Sequence, residues 1–371
     1  MNITIVSTAY PLRGGIAHFV ALLTKYLLKT NHKVNIFSFK RQYPKIFFPG
    51  KTQEESGEKI SSQINSEMIV DSINPFNWIR VGNKIKKQKP ELIIFKYWLP
   101  FFALCFGTIS WFAKINKHTK VLVICDNIIP HEKRFGDKIF TKYFFSMCDF
   151  FIVQSDSVEI ELNKFFPNSN YKKIAHPVYE IFGESVDKKI AREKLNITQE
   201  EKIILFFGYV RKYKGLDIAI ESMQNVNNAT LYVVGEFYDD KDFYISLAKK
   251  LNVGNKIVFI SDYIANDEVK FYFSSCDVVL LPYKSATQSG IAQIAFNFNK
   301  PIIATNVGGL SEIIPNGKAG FIVEPNNAKE IANAINIFFK ENKHVEFSKQ
   351  IEIEKKKYSW ENFVNEIENF R

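Results

Sequence analysis

Three short stretches carry groups suited to holding phosphate or moving a proton. The first runs from Leu280 to Ile314 and reads LLPYKSATQSGIAQIAFNFNKPIIATNVGGLSEII. An apolar run ending at Pro282 gives way to a small polar loop, Ser285 to Gly290, and then to residues that suit a helix. A helix opening on Ser289-Gly290 presents N–H groups with no intrahelical partner, and with the positive end of the helix dipole these form an anion site of the kind that holds phosphate. Thr287 and Gln288 belong to the same loop, Gln293 follows in the helix, and Gly308-Gly309 supplies a second flexible turn. The second stretch, Gly208-Tyr209-Val210-Arg211-Lys212-Tyr213-Lys214-Gly215, places three cations and two glycines between a strand and a helix start. Guanidinium, ammonium and backbone N–H groups in that arrangement can grip a diphosphate. The third sets Asp126, His131 and Glu132 just past a strand end, where an α/β domain presents polar groups to a cleft. Each has a bland counterpart. A Ser-Gly pair caps many helices, a basic turn can simply be solvated, and a glycine pair such as Gly14-Gly15 can be only a tight turn.

The elements that must position these residues follow from hydrophobic period. Residues 2–7 form a short β-branched run that leads to Gly14-Gly15, and residues 16–28 then repeat apolar side chains at helical spacing. The glycine pair therefore lies outside the carboxyl end of a first strand, although without the GxGxxG dinucleotide fingerprint. Strands are expected at 33–37, 92–95, 120–124, 150–154 and 173–178, with a polar excursion over 41–66. Residues 97–113 carry no charge for seventeen positions, but this is short of a membrane span, and Pro100 near its start suits the first turn of a buried helix. The character turns polar over 179–201, and a βα series then restarts: strand 203–207, the basic loop, helix 216–223, strand 231–234 and Gly235. Met147–Val153 is echoed in type by Ser275–Leu281. The alternation predicts two α/β doubly wound domains with parallel sheets: 1–180, then 200–357, joined by a linker over 181–199.

Composition bounds the partners. With 371 residues, 46% of them hydrophobic, the chain can bury two cores. The net charge of +10 belongs to the first half: residues 1–185 hold 25 Lys+Arg against 15 Asp+Glu, whereas residues 186–371 hold 24 of each. No zinc-finger spacing or RNP-like motif favours nucleic acid, so the basic half points to an anionic membrane surface or a phosphorylated substrate, with solvated helix lysines as the plain alternative. Cys105, Cys125, Cys148 and Cys276 sit singly in apolar surroundings and read as reduced core residues. MNITIVSTAY lacks the basic-then-apolar pattern of a secretory leader, so a cytoplasmic location is expected.

Taken in order, Pro11–His18, Asp126–Glu132, Phe206-Phe207-Gly208 through Asp217, Leu281-Pro282-Tyr283 through Glu312, and Tyr358-Ser359-Trp360-Glu361 resemble the family 4 retaining glycosyltransferases, which use nucleotide-sugar donors and have the GT-B architecture of two Rossmann-like domains facing across a cleft. The resemblance covers nearly the whole chain. It implies an acceptor-side first domain and a donor-binding second domain, with the closing helix, 358–371, packing back on the first. It assigns Arg211 and Lys214 to the donor diphosphate, Thr287-Gln288-Ser289-Gly290 to the phosphate-facing loop, Gly14 and Gly15 to the turn that approaches donor phosphates and acceptor, and Gly208 and Gly235 to the donor-side turns. Catalytic roles fall to Asp126, His131, Arg211 and Lys214. The chain departs from the pattern where many members carry two glutamates eight positions apart: Ala286 and Ile294 stand there, with Gln293 beside the second and Gln288 near the first. Asp126 likewise stands where a histidine commonly ends the strand.

The resemblance implies a hexosyl transferase that retains anomeric configuration and moves a sugar from a nucleotide-diphosphate donor to a glycan or lipid-linked acceptor, in cell-surface polysaccharide or lipopolysaccharide synthesis. No metal or other cofactor is expected, and peripheral contact with the inner face of the cytoplasmic membrane is. The missing carboxylates motivate an alternative of another class, a catalytically inactive nucleotide-sugar binding or scaffold protein of the same fold.

Overall fold

The apolar, β-branched runs become parallel strands in the computed structural model, which describes residues 1–12, 14–44, 66–129 and 135–370. His131 and Glu132, Arg13, and most of the polar excursion expected over 41–66 lie outside the described residues. The chain divides into two compact units, Met1–His176 with Trp360–Arg371, and Pro177–Ser359.

The first unit is built on β1 (Asn2–Val6), β2 (Lys33–Arg41), β3 (Ser66–Asp71), β4 (Leu92–Tyr97), β5 (Lys120–Cys125), β6 (Phe150–Val153) and β7 (Tyr171–Lys173), in the order β3-β2-β1-β4-β5-β6-β7. Every pairing is parallel. All six residues of β4 are buried, as a strand covered by helices on both faces requires. The second unit holds β8 (Ile203–Phe207), β9 (Thr230–Val234), β10 (Ile257–Ile260), β11 (Val278–Leu281), β12 (Ile302–Thr305) and β13 (Gly320–Val323), in the order β10-β9-β8-β11-β12-β13, again parallel throughout. Each sheet reverses its strand order once, between β1 and β4 and between β8 and β11. Ligands of open α/β sheets bind outside the carboxyl ends of strands at such points.

The sequence echo between the two series has a structural counterpart. Asp149, just before β6, accepts the Val121 amide on its carboxylate and donates its own amide to the Val121 carbonyl. Asp277, just before β11, does the same with Ile203. An aspartate thus pins the start of a neighbouring strand in each sheet.

Two expectations change. Residues 181–199 are not a linker: they contain the helix Lys188–Lys194, whose Arg192 is 1% exposed and donates to the carbonyls of Ser275, Thr198 and Glu201 and to Asp277. That buried guanidinium ties the stretch into the second unit. The strand expected over 173–178 is instead Tyr171–Lys173, since Pro177 has no N–H for a ladder and the chain enters the second unit there. β3, β10 and β13, which were not expected, are all edge strands with half-buried or exposed positions, so they show less of the buried continuous run that marks β4 or β8. The uncharged stretch 97–113 does open on a turn at Pro100–Phe102 and continues as the helix Ala103–Lys114, with Phe102, Phe106 and Ile109 in the core. No helix among the described residues is long and apolar enough to cross a membrane.

The closing helix Trp360–Glu368 belongs to the first unit. Trp360, 1% exposed, packs against Phe19 and Tyr26 of the helix Gly15–Lys29, and Glu368 meets His32 at 2.6 Å.

Candidate functional site

In the second unit three loops converge after β8, β11 and β12, and glycines let them approach. Gly208 follows β8 with φ +94°, and Gly235 follows β9. A Cβ on Gly235 would lie 2.4 Å from the Gly208 carbonyl oxygen, so these two turns touch backbone to backbone. Gly215, at φ +69°, closes the basic loop against the next one: its Cβ would fall 1.9 Å from the carbonyl oxygen of Pro282. The Lys284 amide then donates to the Tyr213 carbonyl at 2.7 Å, and the Lys284 ammonium meets Asp217 at 2.5 Å. Gly308, at φ +53°, brings the third loop equally close to Ala286, and the Gly309 amide donates to the Thr287 carbonyl at 2.9 Å. The loop carrying Thr287, Gln288, Ser289 and Gly290 is therefore held from both sides.

Arg211 and Lys214 lie on this framework without a counter-charge. Among the described residues neither forms an ion pair with a carboxylate. Arg211 is exposed, with its guanidinium 4.8 Å from the Tyr238 ring centroid. Lys214 is buried under Gly208, where a Cβ would lie 3.3 Å from its Nζ, and it sits 5.8 Å from the Tyr283 ring centroid. Loss of hydration, reinforced by the neighbouring Arg211, pulls the Lys214 ammonium down to about 7. Two cations in want of an anion, one partly desolvated, make a site that gains by taking up phosphate.

Beside them the helix Gly290–Asn297 starts on Ser289, whose hydroxyl accepts the Ala292 amide and lies 3.3 Å from the Tyr283 hydroxyl. Gln293, one turn on, is wholly buried. Among the described residues, neither the amide nitrogen nor the amide oxygen of Gln293 or of Gln288 has a hydrogen-bond partner. Buried amides left so are costly, and a bound polar ligand would relieve the cost. Gly208, Arg211, Lys214, Gly235, Thr287, Gln288, Ser289, Gly290 and Gln293 thus share one carboxyl-end region of one sheet.

The first unit has its own polar cluster. Gly14, at φ +113°, precedes the helix Gly15–Lys29, and among the described residues nothing lies within 4 Å of where its Cβ would be. Asp126, after β5, is bound by a residue that sequence reasoning missed: Lys96 of β4, whose ammonium meets Asp126 Oδ1 at 2.5 Å and donates to Gln154 Oε1 at 2.9 Å. The Phe19 ring lies 4.0 Å from the same nitrogen. Burial pulls Lys96 below its ordinary value, and Asp126 opposes that pull. The signal was available as the lone cation in the otherwise apolar LIIFKY. Among the described residues no three His, Cys, Asp or Glu side chains are grouped to hold a metal ion.

Two parallel sheets, each reversing order once and each carrying its polar residues at carboxyl ends, define a pair of Rossmann-like domains of the GT-B kind. Residues 187–358, nearly all of the second unit, match the family described as Glycosyl transferases group 1. An uncharacterized glycosyltransferase of Methanocaldococcus jannaschii is 27% identical over 60% of this chain and 56% of its own length, so the chain matches little more than half of that relative. Among solved structures, a sucrose-phosphate synthase from Thermosynechococcus elongatus superposes with a TM-score of 0.75 at 19% identity, covering 99% of this chain and 97% of its own. HepE of Anabaena, solved with UDP and glucose, gives 0.74 at 14% identity over 100% and 99%. At such identities the two structures speak for the fold.

Proposed function

We propose that this chain is a retaining glycosyltransferase that moves a hexose-type sugar from a nucleoside-diphosphate donor to a glycan or lipid-linked acceptor of cell-surface polysaccharide or lipopolysaccharide synthesis. The observation that carries the reading is the pair Arg211 and Lys214, without a carboxylate partner among the described residues, at the carboxyl end of β8 beside the capped helix start at Ser289-Gly290. In this reading the departing diphosphate gathers negative charge in the transition state, and Arg211, Lys214 and the helix-start amides stabilise it, which asks for no metal. Gln293 and Gln288 offer donors and acceptors to the hydroxyls of the ribose and the sugar. The family match and a structural relative solved with UDP and glucose support a nucleotide-sugar donor. In the first unit Asp126, held by Lys96, serves the acceptor side with Gly14 and Gly15. The basic first half suits work at the inner face of the cytoplasmic membrane.

The test is a transfer and donor-hydrolysis assay over a panel of nucleotide sugars, with and without chelator. Turnover that survives chelation and falls by at least about a hundredfold in Arg211→Ala and Lys214→Ala supports the reading; folded variants that keep full rate overturn it. The second reading, a donor-binding protein without catalysis, is favoured by Ala286 and Ile294 standing where carboxylates are expected. Tight donor binding with no turnover on any panel member would select it.

A further inference from the structure

We infer that three neighbouring helices of the first unit form a docking face for an anionic lipid bilayer. The inference deepens the membrane part of the reading above and rests on that part rather than on the chemistry. The helix Ala103–Lys114 lies between Pro75–Gln88 and Asp137–Phe145. Glycines bring them close: a Cβ on Gly82 would stand 2.6 Å from the Phe112 Cβ, and one on Gly107 would stand 2.5 Å from the Tyr143 ring. The middle helix turns Cys105, Phe106 and Ile109 into the core. Its other side exposes Leu104 and Trp111, the latter 54% exposed, and Phe101 in the turn before the helix and Ile115 at its C-terminal cap are exposed as well. The flanking helices add Phe76 at 84% and Ile139 at 68%. Isolated exposed apolar residues are ordinary, but a ridge of them across adjacent helices marks an interaction surface.

Charge decides what covers the ridge. Arg80, Lys87, Lys138 and Lys142 are exposed on the flanking helices. The three helices hold one acid, Asp137, and it is buried. Two copies of such a face would bring like charges together, whereas exposed apolar side chains with exposed cations on the flanking helices suit an anionic headgroup layer above acyl chains. Since no described helix is long enough to span, the contact is with the surface.

The purified full chain is mixed with vesicles of phosphatidylcholine alone or of phosphatidylcholine with phosphatidylglycerol, and binding is read by flotation at rising salt. Binding is expected to the anionic vesicles only and to weaken with salt. Leu104→Ser/Trp111→Ser and Lys138→Glu/Lys142→Glu should each weaken it roughly tenfold or more while leaving the melting temperature and nucleotide binding unchanged. Absence of binding, or binding that both double variants retain, overturns the inference. So does a solution dimer that Leu104→Ser/Trp111→Ser dissolves, since a second copy would then cover the face. Loss of vesicle binding with transfer to a soluble acceptor intact separates this inference from the transferase reading.

Discussion

Lys214 illustrates how a single residue can couple binding to protons. Its ammonium ordinarily titrates near 10.5, and burial beside Arg211 brings it to about 7. Between those values the unfolded chain holds a proton that the folded one has released, so this residue's contribution to stability rises with pH across that window and the cost of burying its charge is felt below it. A bound diphosphate supplies the missing counter-charge and raises the value again. Binding a nucleoside diphosphate at pH 7 to 8 should therefore take up a proton, seen as a calorimetric heat that changes with the ionisation enthalpy of the buffer. In Lys214→Gln the uptake should vanish. Asp126 poses the opposite case, because its removal strands a buried cation. Asp126→Ala should destabilise the fold by about 3 kcal/mol, and adding Lys96→Met should recover part of that loss in denaturant melts.

At the scale of elements, the second unit's site depends on loops that only glycine lets meet. Gly215→Ala and Gly308→Ala would each force a Cβ against a carbonyl oxygen from a left-handed backbone. Each should cost more than about 2 kcal/mol by chemical denaturation. Much of this element layer was legible beforehand. Two of the strands that carry the site are continuous apolar runs ending in Gly208 and Pro282, and the third, Ile302–Thr305, is followed three residues on by Gly308, so these endings mark both strand and turn. The helix start at Ser289 was readable for the same reason, since a hydroxyl followed by glycine and an apolar run is a cap in any context. Gly215 meeting Pro282 was not readable, because that contact joins residues far apart in sequence and depends on strand order. Lys96 was hidden by its strand, whose period says buried while its side chain says charged. The partner that reconciles the two, Asp126, comes from the neighbouring strand.

For the whole molecule, the chain leaves its first unit at His176 and returns to it at Trp360. The first unit's core therefore stays incomplete until the end of the chain is present. Trp360→Ala opens the packing around Phe19 and Tyr26 and should cost about 3–5 kcal/mol in a thermal or denaturant melt. The central claim concerns the second unit, where Arg211 and Lys214, unpaired with any carboxylate among the described residues, a capped helix start and two buried glutamine amides are proposed to hold a nucleoside diphosphate. Calorimetric titration of the full chain with UDP, ADP and GDP, alongside Arg211→Ala/Lys214→Ala, tests it most directly. Saturable binding of at least one nucleotide, abolished in the folded double variant, is the result predicted; no binding of any of them, or equal binding by the variant, would contradict the account.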